Sequence, residues 1–394
     1  MKVLQVLGGG AWGGGSVVVL SIVKKMIERG DKVWVVALDD ETALHFRNAG
    51  ATPVRVPCWL RPVTPVDLIP LMALWWLCRR EKFDLVSCHT SKGGMLGRIA
   101  AKLAGVPAIT HHVHGFGFHQ FTHPLVKQVY VWFEKLGAAC HNLMITVGEQ
   151  HRQFAMELGI EKGERIRTIL NGIEIEKFLG HDRKAIRAEL GFAQDELILG
   201  SIGRLATQKG FAYMIEAMPQ IVARHRKTRL VIAGIGDLEP ELTALRAKVG
   251  MEGHVTFLGF RRDAPRLLAA FDVFVHPSLW EGLSISLMEA MVAGCPIVCS
   301  RIPGNIEMID DGRTGIFSEP AKPESIVASV NRMLDDGAAA RRMADTAQRE
   351  GIVRFSVERM VRENIDAYDS VHEAAPPRRK QPIPIDRKRE DVAA

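Results

Sequence analysis

Residues 271–300, FDVFVHPSLWEGLSISLMEAMVAGCPIVCS, leave the chain few ways to fold. Phe271 to Val275 is a short apolar run stopped at Pro277, which reads as a buried strand. Ser278 to Gly282 is a turn-rich loop. From Leu283 to Val292 apolar residues recur at helical spacing, and Gly294 ends the helix. Pro296 to Cys299 opens the next buried strand. The same alternation runs through most of the chain, which implies parallel sheets covered by helices on both faces.

Two carboxylates mark this stretch. Glu281 closes the loop and Glu289 follows eight positions later. Along one continuous helix they would stand ~12 Å apart, beyond the about 5–9.5 Å of a glycosidase pair. Both face roughly one side, which suits a single extended ligand held at two points. The helix N-terminus attracts phosphate, and a deeper carboxylate can accept from ribose hydroxyls.

The chain opens as a βαβ unit with Gly8, Gly10 and Gly13 in the first turn and Asp39 after the second strand. These are the parts of a dinucleotide fingerprint, so a nicotinamide-dependent oxidoreductase is a competing reading. Asp39 lies somewhat beyond the usual spacing, and that reading leaves the second half unexplained. There, a strand from Glu196 to Ile202 runs into Gly203-Arg204, with Lys209-Gly210 beyond. Arg offers a planar fork and Lys a point charge, a pairing that clamps a diphosphate or simply makes a solvated turn. Gly234-Ile235-Gly236 and Gly259-Phe260 follow two further strands.

Leu71, Leu74, Trp75 and Cys78 share one helical face, after a run that Pro70 interrupts. The face either joins the core or, through Trp75, Trp76, Arg79 and Arg80, rests on a membrane surface. Strand Phe83–Cys88 ends in a loop from His89 to Gly94, with a helix from Met95. Five histidines lie between His111 and His123, with no cysteine or carboxylate among them, so a loop run is expected and no metal. The formal charge of +6 fits an anionic ligand or an anionic membrane surface, and no nucleic-acid motif is visible. The six cysteines form no C-x-x-C pair and read as reduced core residues of a cytoplasmic protein. No apolar run has the length of a membrane span, and the first residues are too short for a signal peptide.

Glu281 and Glu289 within HPSLWEGLSISLMEAMVAGCPIV, together with the Gly203–Gly210 loop, resemble the signature of retaining glycosyltransferases of family 4 (group 1). The resemblance spans roughly residues 1–370. It implies an α/β chain of the GT-B fold: two Rossmann-like domains facing a central cleft, with a C-terminal helix crossing back to the first. The expected division is 1–174 for the acceptor domain, 175–355 for the donor domain and 356–372 for the crossover helix. A disordered basic tail is expected at 373–394. The resemblance implies catalytic roles for His114, facing the reacting sugar, and Glu281, contacting the donor sugar. Donor binding falls to Gly13, Gly14, Arg204, Lys209, Gly236, Phe260, Gly282, Leu283, Ser284 and Glu289. The substrate is a nucleoside-diphosphate sugar, with no cofactor and no metal. The acceptor is a lipid-linked or saccharide hydroxyl, with peripheral contact to an anionic membrane. A nucleotide-sugar epimerase or a catalytically silent binding protein on the same fold remains open.

Overall fold

The computed structural model describes residues 1–8, 13–59, 64–118 and 122–376. Gly10 of the glycine turn, His119 of the histidine run and residues 377–394 of the expected tail lie outside them.

Two parallel sheets carry the chain. The first has strands β1 (Lys2–Val6), β2 (Lys32–Val36), β3 (Thr52–Val54), β4 (Leu85–His89), β5 (Ala108–Val113), β6 (Leu143–Thr146) and β7 (Ile166–Thr168), in the order β3-β2-β1-β4-β5-β6-β7. The second has β8 (Leu197–Ile202), β9 (Thr228–Ala233), β10 (Val255–Phe257), β11 (Val273–His276), β12 (Ile297–Ser300) and β13 (Ile316–Ser318), in the order β10-β9-β8-β11-β12-β13. Inner strands such as LVSCH and VFVH are buried along their whole length, because helices cover both faces. On β9, Leu230 and Ile232 pack into one helix layer while Val231 and Ala233 pack into the other, the period of two that a pleated strand imposes.

Each sheet reverses its strand order once, between β1 and β4 and between β8 and β11. In such sheets ligands bind at the carboxyl ends of the strands flanking the reversal. Those four ends lead to Gly13, His89, Arg204 and Glu281.

The last helix, Val357–Glu373, crosses back to the first sheet. Ile173 and Ser356 form a parallel bridge, and the Val357 amide donates to the Ile173 carbonyl at 3.0 Å. Tyr368 then reaches Ser87 of β4 at 3.0 Å, and Asp369 pairs with Arg29 at 2.7 Å. The architecture is the GT-B fold, with its crossover helix.

Several sequence expectations move. Pro70 does not interrupt the helix Leu68–Glu81; it sits in the first turn, where its missing N–H costs nothing. The helix expected from Met95 begins at Ser91, after Thr90 adopts a left-handed φ of 64°. Its glycines are packing positions rather than loop residues. β5 runs to Val113, so His111 and His112 are buried strand residues between β4 and β6. The helix after the 278–284 loop is Ile285–Val292, so Glu281 stands on the loop and the helical spacing between the two glutamates does not apply.

Candidate active site

The second wall of the cleft is built around one ion pair. Lys209 Nζ lies 2.6 Å from Glu281 Oε1, with the two side chains 16% and 8% exposed. Glu281 also accepts from the Ser278 hydroxyl at 2.8 Å and the Gln208 amide at 3.2 Å, and His276 Nε2 lies 3.5 Å away. Burial alone would raise this carboxyl, but Lys209 and His276 beside it hold it down at about 2. Glu289 is partly exposed and lacks such company. Burial pushes its carboxyl up to about 7, against the pull of Lys209. The charge of Lys209 thus opposes the effect of burial on both glutamates. Arg204, exposed on the same loop, has no ion-pair partner among the described residues.

The loops that carry these groups are tied together. The Leu205 amide donates to the Ile235 carbonyl at 3.0 Å, and the Gly234 amide to the Gly259 carbonyl at 2.8 Å. Gly236 and Phe260, the latter 61% exposed, thus border the loop of Arg204. The Leu279 amide donates to the Gln208 carbonyl at 2.8 Å, fixing the Glu281 loop to the Lys209 loop. Ser284 caps the helix Ile285–Val292 with its backbone, and Leu283 is buried beneath.

The first wall meets the second at close range. A Cβ on Gly282 would stand 2.5 Å from the His114 carbonyl oxygen, and one on Gly14 would stand 3.0 Å from Ile285. Gly13 caps the helix Gly14–Glu28, and a Cβ on Gly15 would be 3.8 Å from the His114 ring. His114 thus sits where the glycine turn, the Gly282 loop and β5 converge. Burial, with the charge of His111, pushes its imidazole down to about 4.

Sequence reasoning missed five contributors. His89 lies 3.2 Å from His114 and 2.7 Å from Gln5 Oε1, and it ends a strand rather than starting a loop. Ser278 and Gln208 hold Glu281, and His276 sits directly before the Pro277 that stopped the strand. Glu307 accepts from the backbone N–H of Glu149 at 2.5 Å and of Gln150 at 3.2 Å, capping a first-wall helix from the second half. Asp39 is spent elsewhere: it accepts from the Thr42 amide at 2.7 Å and caps the helix Asp40–Asn48, which removes the acidic residue of the dinucleotide reading.

Known proteins share the sequence pattern and the fold. The family description "Glycosyl transferases group 1" matches residues 182–350, and "Glycosyltransferase Family 4" matches residues 12–177. The chain is 33% identical over 305 residues to the Escherichia coli UDP-Gal:alpha-D-GlcNAc-diphosphoundecaprenol alpha-1,3-galactosyltransferase, covering 76% of each chain. It is 24% identical to the Campylobacter jejuni N,N'-diacetylbacillosaminyl-diphospho-undecaprenol alpha-1,3-N-acetylgalactosaminyltransferase, covering 89% of this chain and 94% of that one. Among solved structures, Anabaena HepE in complex with UDP and glucose superposes with a TM-score of 0.81 at 23% identity, over 94% of this chain and all of that one.

Proposed function

The chain belongs to the group 1, family 4 glycosyltransferases, and from that premise we propose that it moves a hexosyl unit from a UDP-sugar to a hydroxyl of a lipid-diphosphate-linked saccharide. The anomeric configuration is retained. The donor and acceptor classes are carried over from the relatives' names and from the UDP complex of the structural neighbour.

The observation that carries the reading is the buried Lys209–Glu281 pair on the loops that lead up to the helix Ile285–Val292. As the bond to the sugar breaks, negative charge grows on the departing diphosphate. Arg204, Lys209 and the N-terminus at Gly282-Leu283-Ser284 neutralise it without a metal ion at the phosphates. Glu281 meets the oxocarbenium-like sugar as a carboxylate, and Glu289 accepts from the ribose. His114 reaches the reacting centre from the other wall. The phosphate itself takes the acceptor proton on the face it leaves. Gly13 and Gly14 bring backbone N–H groups near the phosphates.

An acceptor embedded in lipid calls for a protein that reaches the membrane surface. No described helix is long and apolar enough to cross a membrane. The helix Leu68–Glu81 instead exposes Leu68, Met72 and Trp76, with Arg80 over the Trp76 ring at 4.5 Å, and Pro124–Ala138 exposes Leu125, Val129 and Trp132. We place the peripheral contact on these faces.

The test is nucleoside-diphosphate release from UDP-, GDP- and ADP-sugars, with and without a lipid-diphosphate saccharide. Release that requires the acceptor, with an axial product from an axial donor, supports the reading. Epimerisation of the donor alone, or an inverted product, contradicts it.

A further inference from the structure

His89, His112 and His114 meet at the head of the cleft, and we infer that they form a binding site for one divalent transition-metal ion of the zinc, cobalt and nickel class. One ring nitrogen from each lies within 4.8 Å of the other two. Their ring centroids are 5.0, 5.4 and 5.6 Å apart. Three imidazoles on one tetrahedral ion at ~2.0–2.1 Å would place their centroids roughly 5 Å apart. The three come from the ends of neighbouring strands, β4 and β5, and the residue just beyond β5.

The proton positions follow from the partners. Gln5 turns its amide nitrogen to the Met26 sulfur at 3.8 Å, which can only accept, so Gln5 Oε1 faces His89 Nε2 at 2.7 Å. His89 therefore donates from Nε2 and keeps a lone pair on Nδ1. Asn364 on the crossover helix donates its amide nitrogen to the Met360 carbonyl at 2.9 Å, so its Oδ1 accepts from His112 Nε2 at 2.7 Å. His112 Nδ1 is then a lone pair, buried and without a hydrogen-bond partner. An unpaired buried acceptor costs about 1–3 kcal/mol, which a bound ion would relieve.

An imidazole that donates outward to an amide oxygen and turns a lone pair inward is the arrangement of a metal ligand with its orienting partner. His89 Nδ1 and His114 Nε2, 3.2 Å apart, match two ligand atoms on one centre, whose edge is ~3.3 Å. The carbonyl groups of Gln5 and Asn364 hold two rings from behind. His114 is only partly buried and lies beside the cleft, which provides the entry path and leaves a coordination position for water or a sugar hydroxyl.

A consequence for turnover rests on the role proposed for His114: an ion here withdraws that imidazole from the reacting sugar. The site itself does not depend on that role, so it is tested by binding alone. The untagged full chain, stripped with a chelator, is titrated with Co2+ and followed by visible absorption. The expected result is one equivalent bound, with the ligand-field bands of imidazole-coordinated cobalt. His112→Asn abolishes the bands. Asn364→Ala, which removes the orienting amide but no ligand, weakens the site about 10–100-fold with the circular-dichroism spectrum unchanged. A wild-type protein with no such bands at one equivalent of cobalt overturns the inference. So do bands whose affinity is the same in the Asn364→Ala protein.

Discussion

The two walls of the cleft solve different electrostatic problems. On the second wall Lys209 and Glu281 are both charged and buried against each other. On the first wall His89, His112 and His114 are packed as neutral rings. A fixed charge pair suits a ligand whose own charge changes during reaction, since the cation can swing from carboxylate to phosphate without new desolvation. Neutral imidazoles suit hydroxyl groups, which need a defined donor or acceptor and no net charge. The contrast also appears within the second wall, where Glu281 is held at about 2 and Glu289 is raised to about 7.

Removing the charge pair gives the largest expected effect. Lys209→Met lowers kcat/KM by about 10²–10³-fold, the size expected for one lost charge-stabilising group. It also strands Glu281 as a buried unpaired carboxylate and destabilises the fold by ~3 kcal/mol. Adding Glu281→Gln recovers the denaturation midpoint but not the activity. If the double variant regains turnover, the pair is structural only.

Joining the walls is the next requirement. Gly282→Ala pushes a methyl group toward the His114 carbonyl. Turnover should fall about 100-fold through misalignment, while UDP binding, made mainly by Arg204 and Lys209 on the second wall, falls by much less. Equal loss of both would show that the methyl group acts through the phosphate contact of Gly282 and not through the joining of the walls.

The two glutamates should titrate with opposite signs. Glu281, lowered from 4.5 to about 2, adds stability above the ordinary carboxyl value, and that stability is lost as pH falls toward 2. Glu289, raised from 4.5 to about 7, binds more protons in the folded chain, so stability declines as pH rises from 4.5 through 7. Glu289→Gln should flatten that decline. It should also remove the part of the rise in UDP affinity between pH 6 and 8 that comes from ionising this carboxyl, with both read by denaturation and calorimetry across that range.

The smallest effect separates the chosen reading from the dinucleotide one. Asp39→Ala removes a helix cap and costs ~1 kcal/mol of stability. Transferase activity should be unchanged, and NAD binding should be undetectable before and after.

The walls also differ in how far the sequence revealed them. Arg204, Lys209 and Glu281 sit on loops that follow short apolar strands, and Glu289 on the helix after the last of these, so their order along the chain together with the family resemblance singled them out. The histidine wall was illegible for the opposite reason. His89 depends on Gln5, 84 positions away, and His112 on Asn364, 252 positions away across the whole second sheet. Only the crossover helix brings that partner home, and nothing in the run from His111 to His123 announces it. The glycines at 93 and 94 read as a loop because their helical packing against Gly8 and His111 is invisible in one dimension. Alternation of strand and helix, a pattern repeated along the chain, was by contrast enough for the two parallel sheets.

The central claim is that Arg204 and Lys209 exist to meet a diphosphate. Calorimetric titration of UDP and UMP into wild type and the Arg204→Ala Lys209→Ala double variant tests it most directly. UDP affinity should fall at least about 100-fold, the scale of two charge-assisted phosphate contacts, with UMP affinity nearly unchanged. Equal losses for the two nucleotides, or no loss for UDP, would contradict the account.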